Sequence, residues 1–352
     1  MKATKALLAL LALCTLCTAN TFAKEKKTKK MAEHYVFELK DGVTRTHVTF
    51  KNHFGITLAG DLYAPKNAPK SGNPAVAVCG PFGSVKEQVS GRYAMEMASR
   101  GIIALSFDPS YYGESSGEPR GIHSPDLNTE DFQAAVDYLI MRKEVDAEKV
   151  GIIGICGWGG YALNAAAIDT RIKATVISTM YDLSRVYAND YFDQNDNEEA
   201  RYAKRKALSD QRTQDAKSGT FARSEGFPKT ATEEMPQFLK DYIDFYETPR
   251  GYHERSIGSN GGWAVQTSTS LQNTRILDYV NEIRNPVLMI HGENAHSRYF
   301  AEGAFKKMTD GSKYAANKEL VIIPGARHTD LYDNYDFIPF DRLSDFFKAN
   351  LK

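Results

Sequence analysis

The clearest indication of the fold of this chain is the sequence Val150-Gly-Ile-Ile-Gly-Ile-Cys156-Gly-Trp-Gly-Gly160. Its first six residues are apolar or glycine, which is typical of a strand buried on both faces. A glycine-rich turn follows, and the residues from Gly159 onwards predict a helix. A strand, a sharp turn and a helix form a nucleophile elbow, in which one side chain stands above the sheet edge. Cys156 has that position, with Gly154 two residues before it as the motif requires.

The motif departs from its usual form at Trp158, which stands two residues after Cys156 where a small residue is expected. The glycine pair therefore comes one residue late. The alternative interpretation is a buried cysteine beside a glycine-rich packing turn. As a nucleophile, a thiol at a helix N-terminus with a histidine partner is expected to have a depressed pKa. The Gly157 N–H could then hold an oxyanion.

A general base is predicted after the last strand, in Val321-Ile-Ile-Pro-Gly-Ala-Arg-His328-Thr-Asp330. The chain has eight histidines, and His328 is the one that follows the final predicted strand. Enzymes with a nucleophile elbow carry the nucleophile, the acid and the base in this chain order. We therefore predict that His328 takes the proton of the Cys156 thiol.

The acid of the triad is the weak point of the pattern. It is expected after the predicted strand 286–290, near Ala295 or His296, and neither residue is an acid. We predict Glu293, the nearest carboxylate, as the acid. Asp182, at the end of the preceding strand, is the alternative. A Cys–His pair needs an orienting carboxylate less than a Ser–His pair does.

A second oxyanion donor is expected from the loop 80–84, which follows the strand ending at Cys79. Pro81 has no N–H, so Phe82 is the predicted donor. If the strands that end at Cys79 and Cys156 are neighbours, the two thiols could form a disulfide, provided that their Cα atoms lie within about 7 Å.

Apolar strands alternate with helices along the chain, which favours an α/β fold with a mostly parallel sheet covered on both faces. The segment 181–283 breaks the alternation. It is polar and tyrosine-rich, and it predicts a helical cap inserted after the sixth strand, with a disordered insertion as the alternative. The predicted strands are 35–39, 44–50, 56–63, 75–79, 102–107, 150–155, 174–179, 286–290 and 319–323. The predicted helices are 86–100, 129–142, 159–168, 198–208, 233–246, 299–308 and 340–351.

Several motifs in order along the chain resemble the dienelactone-hydrolase-like α/β-hydrolases. They resemble in particular the bacterial YcjY-like branch, which is distantly similar to X-Pro dipeptidyl-peptidases. The motifs are Val85-Lys-Glu-Gln88, Phe107-Asp-Pro-Ser-Tyr-Tyr-Gly-Glu-Ser115, Gly117-Glu-Pro-Arg120, Asp131-Phe-x-Ala-Ala-Val-Asp-Tyr138, Gly154-Ile-Cys156, Gly159-Gly-Tyr-Ala-Leu-Asn-Ala-Ala166, Thr248-Pro-Arg-Gly251, Ser297-Arg-Tyr-Phe300 and Gly325-Ala-x-His-Thr-Asp-Leu-Tyr-Asp333. The resemblance implies an α/β-hydrolase fold with a cap after the sixth strand, a Cys or Ser nucleophile matching Cys156 and a base matching His328. It also implies hydrolysis of esters, lactones or thioesters, and it does not identify the acid.

The N-terminus predicts export. Residues 1–23 combine lysines, a short apolar run and a small-residue cleavage site, as in a signal peptide, and 24–34 predict a disordered lysine-rich tail. Four cysteines then become two, Cys79 and Cys156, in a periplasmic or secreted protein. The mature chain comprises a core, 35–180 and 284–352, and the cap. No further segment predicts a membrane span.

The composition favours a small-molecule substrate. With 44 basic and 44 acidic residues, the chain gives no indication of a nucleic-acid partner, and its oligomeric state is open. No motif indicates a metal or a cofactor, since Cys156 stands where a dinucleotide-binding fingerprint requires glycine. We therefore expect an esterase-like hydrolase with a covalent acyl-enzyme. The alternatives are a non-catalytic ligand-binding protein on a hydrolase scaffold, and a peptidase-like hydrolase.

Overall fold

A mixed sheet of eight strands lies at the centre of the computed structural model, which describes residues 33–352. The strands are β1 (Val43–Lys51), β2 (Thr57–Pro65), β3 (Asn73–Cys79), β4 (Ile103–Phe107), β5 (Val145–Ile155), β6 (Ala174–Ser178), β7 (Val287–Gly292) and β8 (Lys318–Ile323). Their spatial order is β1-β2-β4-β3-β5-β6-β7-β8. β2 runs antiparallel to both of its neighbours, β1 and β4. The other six strands, β3 to β8, all pair with one another in parallel.

Helices connect and cover the strands, as the alternating pattern predicts. They are α1 (Val89–Ser99), α2 (Pro125–Ile140), α3 (Gly157–Ile168), α4 (Leu183–Asn189), α5 (Glu198–Ser218), α6 (Gln237–Tyr246), α7 (Ile257–Asn260), α8 (Thr267–Leu271), α9 (Arg298–Thr309), α10 (Asp330–Asp333) and α11 (Phe340–Asn350). The helices α2 and α3 pack on each other and on β5, whereas α1 contacts α11 and the strands β2 and β4. The predicted α/β-hydrolase fold is confirmed.

Three of the parallel strands are buried along their whole length. Every residue of β4, β6 and β7 is buried, which is the pattern expected of strands that have helices on both faces. The carboxyl ends of parallel strands meet at one edge of the sheet, where functional groups of open α/β sheets gather. The elbow after β5 and the turns after β3 and β7 all lie at that edge.

The insertion after β6 consists of the helices α4 to α8. The long helix α5 is exposed to solvent along most of its length. By contrast, α6 buries the apolar side of an amphipathic helix, including Tyr242, Phe245 and Tyr246. It begins at Gln237, four residues later than predicted, because Pro236 sits at its start and disfavours helical geometry in the residue before it.

Near the N-terminal end of the described chain, two further elements differ from the sequence-based expectation. Residues 35–39 form no strand, since Val36 N–H donates to Glu87 O outside the sheet and the Tyr35 hydroxyl donates to Asp61. The helix predicted from Lys86 begins at Val89. The three residues before it form a turn in which the Gln88 side chain accepts from the Val85 N–H at 2.9 Å.

The strands β3 and β5 are neighbours, as predicted, and Cys79 pairs in register with Gly154. Both Cys79 and Cys156 are free thiols in the structure. The Cys79 thiol donates to the carbonyl of Phe107 at 3.6 Å and is fully buried.

The predicted signal peptide, 1–23, and most of the predicted tail, 24–34, lie outside the described residues. Within 33–352, no helix has both the length and the apolar character that a membrane crossing requires.

Candidate active site

Cys156 stands at a strained turn between β5 and α3. Its backbone has φ +55° and ψ −125°, a conformation that L-residues rarely adopt outside functional turns. Hydrogen bonds fix the turn on both sides. The Cys156 N–H donates to Ser178 O at 3.0 Å, and its carbonyl accepts from the Tyr181 N–H at 2.9 Å. This geometry is that of the predicted nucleophile elbow.

The packing around the elbow explains how Trp158 is accommodated. A Cβ atom at Gly154 would lie 2.4 Å from the Cβ of Ala162, so a glycine is needed there for α3 to approach β5. Trp158 is fully buried, and a Cβ atom at Gly80 would lie 2.8 Å from its Cδ1. The indole therefore occupies space that the glycine at position 80 leaves open, and the bulky residue does not disturb the turn.

The Cys156 thiol is buried, with only 5% of the residue exposed. Burial raises the pKa of the thiol, while the Tyr332 hydroxyl and the backbone N–H groups of Phe82 and Gly157 lower it, and the net shift is upward. The depressed pKa expected from the sequence is therefore wrong. Desolvation outweighs the three nearby donors, so the resting group is a neutral thiol.

Phe82 and Gly157, the predicted oxyanion donors, both lie at the sulfur. Their N–H groups come from two different elements, the turn after β3 and the first turn of α3. The two residues also pack closely, since a Cβ atom at Gly157 would lie 2.9 Å from the Cβ of Phe82. Two N–H groups that converge on the space beside a nucleophile can stabilise a developing oxyanion.

The imidazole of His328 is fully buried and makes hydrogen bonds on both nitrogens. Its Nε2 lies 3.0 Å from the Tyr332 hydroxyl, and its Nδ1 lies 2.6 Å from Ser297 Oγ and 3.0 Å from Thr179 Oγ1. Ser297 Oγ in turn lies 3.0 Å from Nε2 of His291. Burial, with smaller contributions from two other histidines, holds the pKa of His328 well below its ordinary value. The imidazole is thus neutral and able to accept a proton.

The structure does not bring Glu293 or Asp182 to His328. Glu293 is exposed, and its carboxylate accepts from the Gly325 N–H at 2.9 Å. Asp182 caps α4 and accepts from the Arg185 N–H at 3.0 Å. The Nδ1 side of His328, where the acid was expected, is occupied by Ser297 and Thr179. Both carboxylates are engaged at helix or loop termini, which is why neither reaches the imidazole.

Several tyrosines lie near the thiol. The charge of a thiolate at Cys156 would raise the pKa of five of them: Tyr181, Tyr191, Tyr242, Tyr246 and Tyr332. Four of these residues, all except Tyr332, lie in the segment between β6 and β7. The inserted segment therefore contributes directly to the surroundings of Cys156.

The groups that hydrogen-bond His328 were not foreseen from the sequence. Tyr332 lies four residues after His328, a spacing that places two side chains on one side of a helical turn, and this was an available signal. Ser297 and Thr179 come from distant parts of the chain, and only the folded sheet edge brings them to the imidazole.

Known proteins are similar to this chain in sequence. The uncharacterized protein PA2218 of Pseudomonas aeruginosa is 52% identical over 316 residues, which cover 90% of this chain and 83% of that protein. The uncharacterized protein YcjY of Escherichia coli is 29% identical over 86% of this chain and 97% of its own length. Thiohydrolase aneE of Aspergillus aculeatus is 34% identical over 133 residues, 38% of this chain and 41% of that one.

Solved structures show the same architecture. The crystal structure of PA2218 superposes with a TM-score of 0.87 and covers 93% of this chain and 100% of its own. The α/β-hydrolase GrgF from Penicillium superposes with a TM-score of 0.70 at 22% identity, and covers 88% of this chain and 99% of its own. The sequence profile of the X-Pro dipeptidyl-peptidase (S15) family matches residues 55–329. This chain is a hydrolase with the α/β-hydrolase fold, and it belongs to the X-Pro dipeptidyl-peptidase (S15) family.

Proposed function

We propose that this protein hydrolyses a carboxylic ester, lactone or thioester through a covalent acyl intermediate on Cys156. One observation carries the proposal. The Cys156 thiol, at a strained elbow, faces the N–H groups of Phe82 and Gly157 and the hydroxyl of Tyr332, which hydrogen-bonds His328. This arrangement supports Cys156 as the nucleophile, the two N–H groups as the oxyanion site and His328 as the base.

In the proposed first step, the thiol proton moves to the Tyr332 oxygen while the Tyr332 hydroxyl proton moves to Nε2 of His328. One S–H bond breaks, one N–H bond forms, and the tyrosine ends as a neutral phenol. The hydrogen bond of 3.0 Å between Tyr332 and His328 supports this route. For Nε2 to accept, Nδ1 must carry the other proton, which Ser297 Oγ or Thr179 Oγ1 can accept.

The sulfur then attacks the carbonyl carbon. A C–S bond forms, and the negative charge on the carbonyl oxygen is held by the N–H groups of Phe82 and Gly157. The leaving group departs with the proton from His328, and an acyl thioester remains on Cys156. His328 next removes a proton from water, whose oxygen attacks the thioester carbonyl. The C–S bond then breaks, the acid is released, and the proton on His328 returns to the sulfur through Tyr332, which restores the thiol.

The surroundings of the thiol favour esters and thioesters over peptides. Within residues 33–352 no carboxylate pairs with His328, so its protonated form is costly to reach, which favours leaving groups that depart with little help from a proton. The groups that shift the pKa of Cys156 include no charged side chain. A peptidase that recognises a free N-terminus would need an anionic partner for the ammonium group. The partial similarity to a thiohydrolase agrees with a thioester substrate.

The test is a time course of short-chain chromogenic ester and thioester hydrolysis by the protein and by Cys156→Ala. We expect turnover by the protein and none by Cys156→Ala, together with an added acyl mass on Cys156 in quenched samples. Glu293→Gln is a matched control, because that carboxylate faces Gly325 and should leave the rate unchanged. Equal rates for the protein and Cys156→Ala would remove the thiol from the mechanism. Cleavage of X-Pro dipeptide amides in place of esters would favour the peptidase alternative.

We also propose that the enzyme acts outside the cytoplasm. The lysines, apolar run and small residues of segment 1–23 support this proposal. In a bacterial host, the exported protein should have a mass that corresponds to a chain beginning at Lys24. Recovery of the full-length chain from the cytoplasm alone would contradict it.

A further inference from the structure

The polar groups around Cys156 on the cap side are hydroxyls and imidazoles. We call the residues Tyr181, Tyr191, Tyr242, Tyr246 and Tyr332 the tyrosine wall. The Tyr181 hydroxyl lies 2.9 Å from that of Tyr242 and 3.2 Å from that of Tyr191, and it also bonds Nε2 of His296. These contacts link three of the five tyrosines and His296 into one uncharged hydrogen-bonded layer, and the Tyr332 hydroxyl bonds His328 beside it.

The histidines that pack against the tyrosine wall are uncharged at neutral pH. Burial lowers the pKa of His296 to about 4 and that of His291 to about 3. It also holds the pKa of His328 well below the ordinary value of histidine. The His296 ring lies 5.4 Å from the His328 ring and stacks on Phe238 at 4.4 Å. The imidazoles therefore contribute hydrogen bonds and flat surface to the site, and no positive charge.

Three arginines, one in α4, one next to His328 in the sequence and one that donates to Thr329 O, are held in ion pairs. Arg185 pairs with Asp193, Arg327 with Asp241 at 3.2 Å, and Arg250 with Asp333 at 2.7 Å. Each of these charges is compensated by a carboxylate. Consistent with this, the pKa of the Cys156 thiol is shifted by burial, one hydroxyl and two N–H groups, with no contribution from a charged side chain.

We infer that this site selects an uncharged, flat acyl group and rejects an acyl group that carries a carboxylate. The inference rests on the proposed function and adds the substrate class to it. A charged group placed against the tyrosine wall would lose its water without gaining an ionic partner, which costs far more than the burial of a neutral ring. Aromatic side chains also favour edge-to-face and offset contacts with a flat ligand.

Binding can be measured without catalysis. The chain has two tryptophans, Trp158 in the elbow and Trp263, whose ring stacks on Phe82 at 4.8 Å, so intrinsic fluorescence reports on the site. Cys156→Ala would be titrated with methyl benzoate and with monomethyl terephthalate, which adds a carboxylate to the same ring. We expect a saturable signal with methyl benzoate and a Kd at least roughly tenfold higher for the anion. Equal affinity for the two probes, or no saturable signal with either, would overturn the inference.

A second variant reverses the preference. In a Cys156→Ala background, His296→Arg would put a guanidinium against Phe238, where it can stack and bind a carboxylate through two hydrogen bonds. We expect the affinity for monomethyl terephthalate to rise by roughly tenfold or more. The control is His53→Arg, since the His53 side chain is 81% exposed, and neither affinity should change. An anion affinity that stays low in His296→Arg would contradict the placement of His296 at the acyl group.

This experiment separates the inference from the proposed reaction. The binding measurement uses a variant without the thiol, so absence of ester hydrolysis by the parent protein would overturn the reaction and leave the selectivity result intact. Conversely, hydrolysis through Cys156 with equal kcat/KM for neutral and anionic benzoate esters would leave the reaction intact and overturn the inference.

Discussion

At the scale of single residues, a hydrogen-bonded chain links Cys156, Tyr332, His328, Ser297 and His291. Each member is buried and carries no charge in the resting state, since burial raises the pKa of the thiol and lowers that of both imidazoles. Serine and a second histidine stand where a carboxylate would orient the base. A neutral chain keeps the base free of protons to low pH, and it leaves the protonated base without an anionic partner.

Tyr332→Phe removes the hydroxyl between the thiol and the base. We expect kcat/KM for ester hydrolysis to fall by roughly tenfold to a hundredfold, because proton transfer loses its connecting group. The alkylation rate of Cys156 should also fall, since the hydroxyl lowers the pKa of the thiol. Tyr335→Phe is the control, because the Tyr335 hydroxyl bonds Glu96 away from the thiol. An unchanged kcat/KM in Tyr332→Phe would mean that His328 reaches the thiol directly.

Ser297→Asp restores a carboxylate beside Nδ1 of His328. A neighbouring anion favours the protonated imidazole and raises its pKa by about 1–3 units. The acidic limb of the kcat/KM profile should therefore move to higher pH, because only neutral His328 can accept the thiol proton. In Ser297→Ala, which removes the hydroxyl and adds no charge, the limb should stay below pH 6.5, the ordinary pKa of histidine. Identical limbs in the two variants would show that Ser297 does not face the functional base.

At the scale of elements, the insertion after β6 holds the turn that carries Phe82. The Tyr246 hydroxyl, on α6, lies 3.1 Å from Ser84 Oγ and donates to Phe82 O at 3.4 Å. Ser256 Oγ and the Gly258 N–H both donate to Gly83 O, at 2.7 Å and 3.1 Å. The position of the Phe82 N–H beside the thiol thus depends on contacts from a segment that is distant in sequence.

Gly83→Ala tests this dependence. At Gly83, φ is +85°, and a Cβ atom would lie 2.9 Å from Trp263 Cζ2 and 3.1 Å from Gly258 N, so the turn must shift. We expect kcat/KM to fall by roughly a hundredfold, since small displacements of oxyanion donors are costly. Gly42→Ala is matched to it, with φ +82° and no atom within 4 Å of the added Cβ. That control should lose about 1 kcal/mol of folding stability and no activity. Equal kcat/KM in both variants would exclude a role for the turn.

The sequence predicts the elements of the core well and the partners of His328 poorly. Continuous apolar runs and the elbow around Cys156 are local patterns, and the structure has the corresponding strands and turn. The segment 35–39 alternates like a strand, yet it lies outside the sheet. Its polar groups make hydrogen bonds to Glu87 and Asp61 and not to a neighbouring strand. Ser297 reaches His328 only through the parallel pairing of β6, β7 and β8, which no spacing rule contains.

At the scale of the whole molecule, burial of neutral imidazoles ties the stability of the fold to pH. Four histidines of residues 33–352 are almost fully buried, namely His123, His253, His291 and His328. Burial lowers the pKa of His123 and His291 to about 3 and that of His328 well below its ordinary value. The unfolded chain therefore binds more protons than the folded chain below about pH 6.5. Four carboxyls act in the opposite sense, because burial raises their pKa values, to about 6 for Asp131, to about 7 for Glu87 and above the ordinary value for Asp61 and Asp182.

The free energy of unfolding is accordingly expected to fall as the pH is lowered from 6.5 towards 4. Each of the three almost fully buried histidines with a lowered pKa contributes about 1.4 kcal/mol per pH unit to this loss. The stability that comes from keeping such an imidazole neutral is present in full above the pKa of the unfolded state, and it is lost as the pH falls towards the pKa of the folded state. His291→Asn removes one such group, so the slope measured by denaturant unfolding at several pH values should be shallower by about that amount. His53→Asn, whose ring is 81% exposed, should keep the parent slope. Parallel curves for His291→Asn and the parent protein would mean that His291 is reached by protons in the folded state. The uncharged hydrogen-bonded chain behind Cys156 would then have to be reconsidered, since protonated His291 could no longer accept the Ser297 proton.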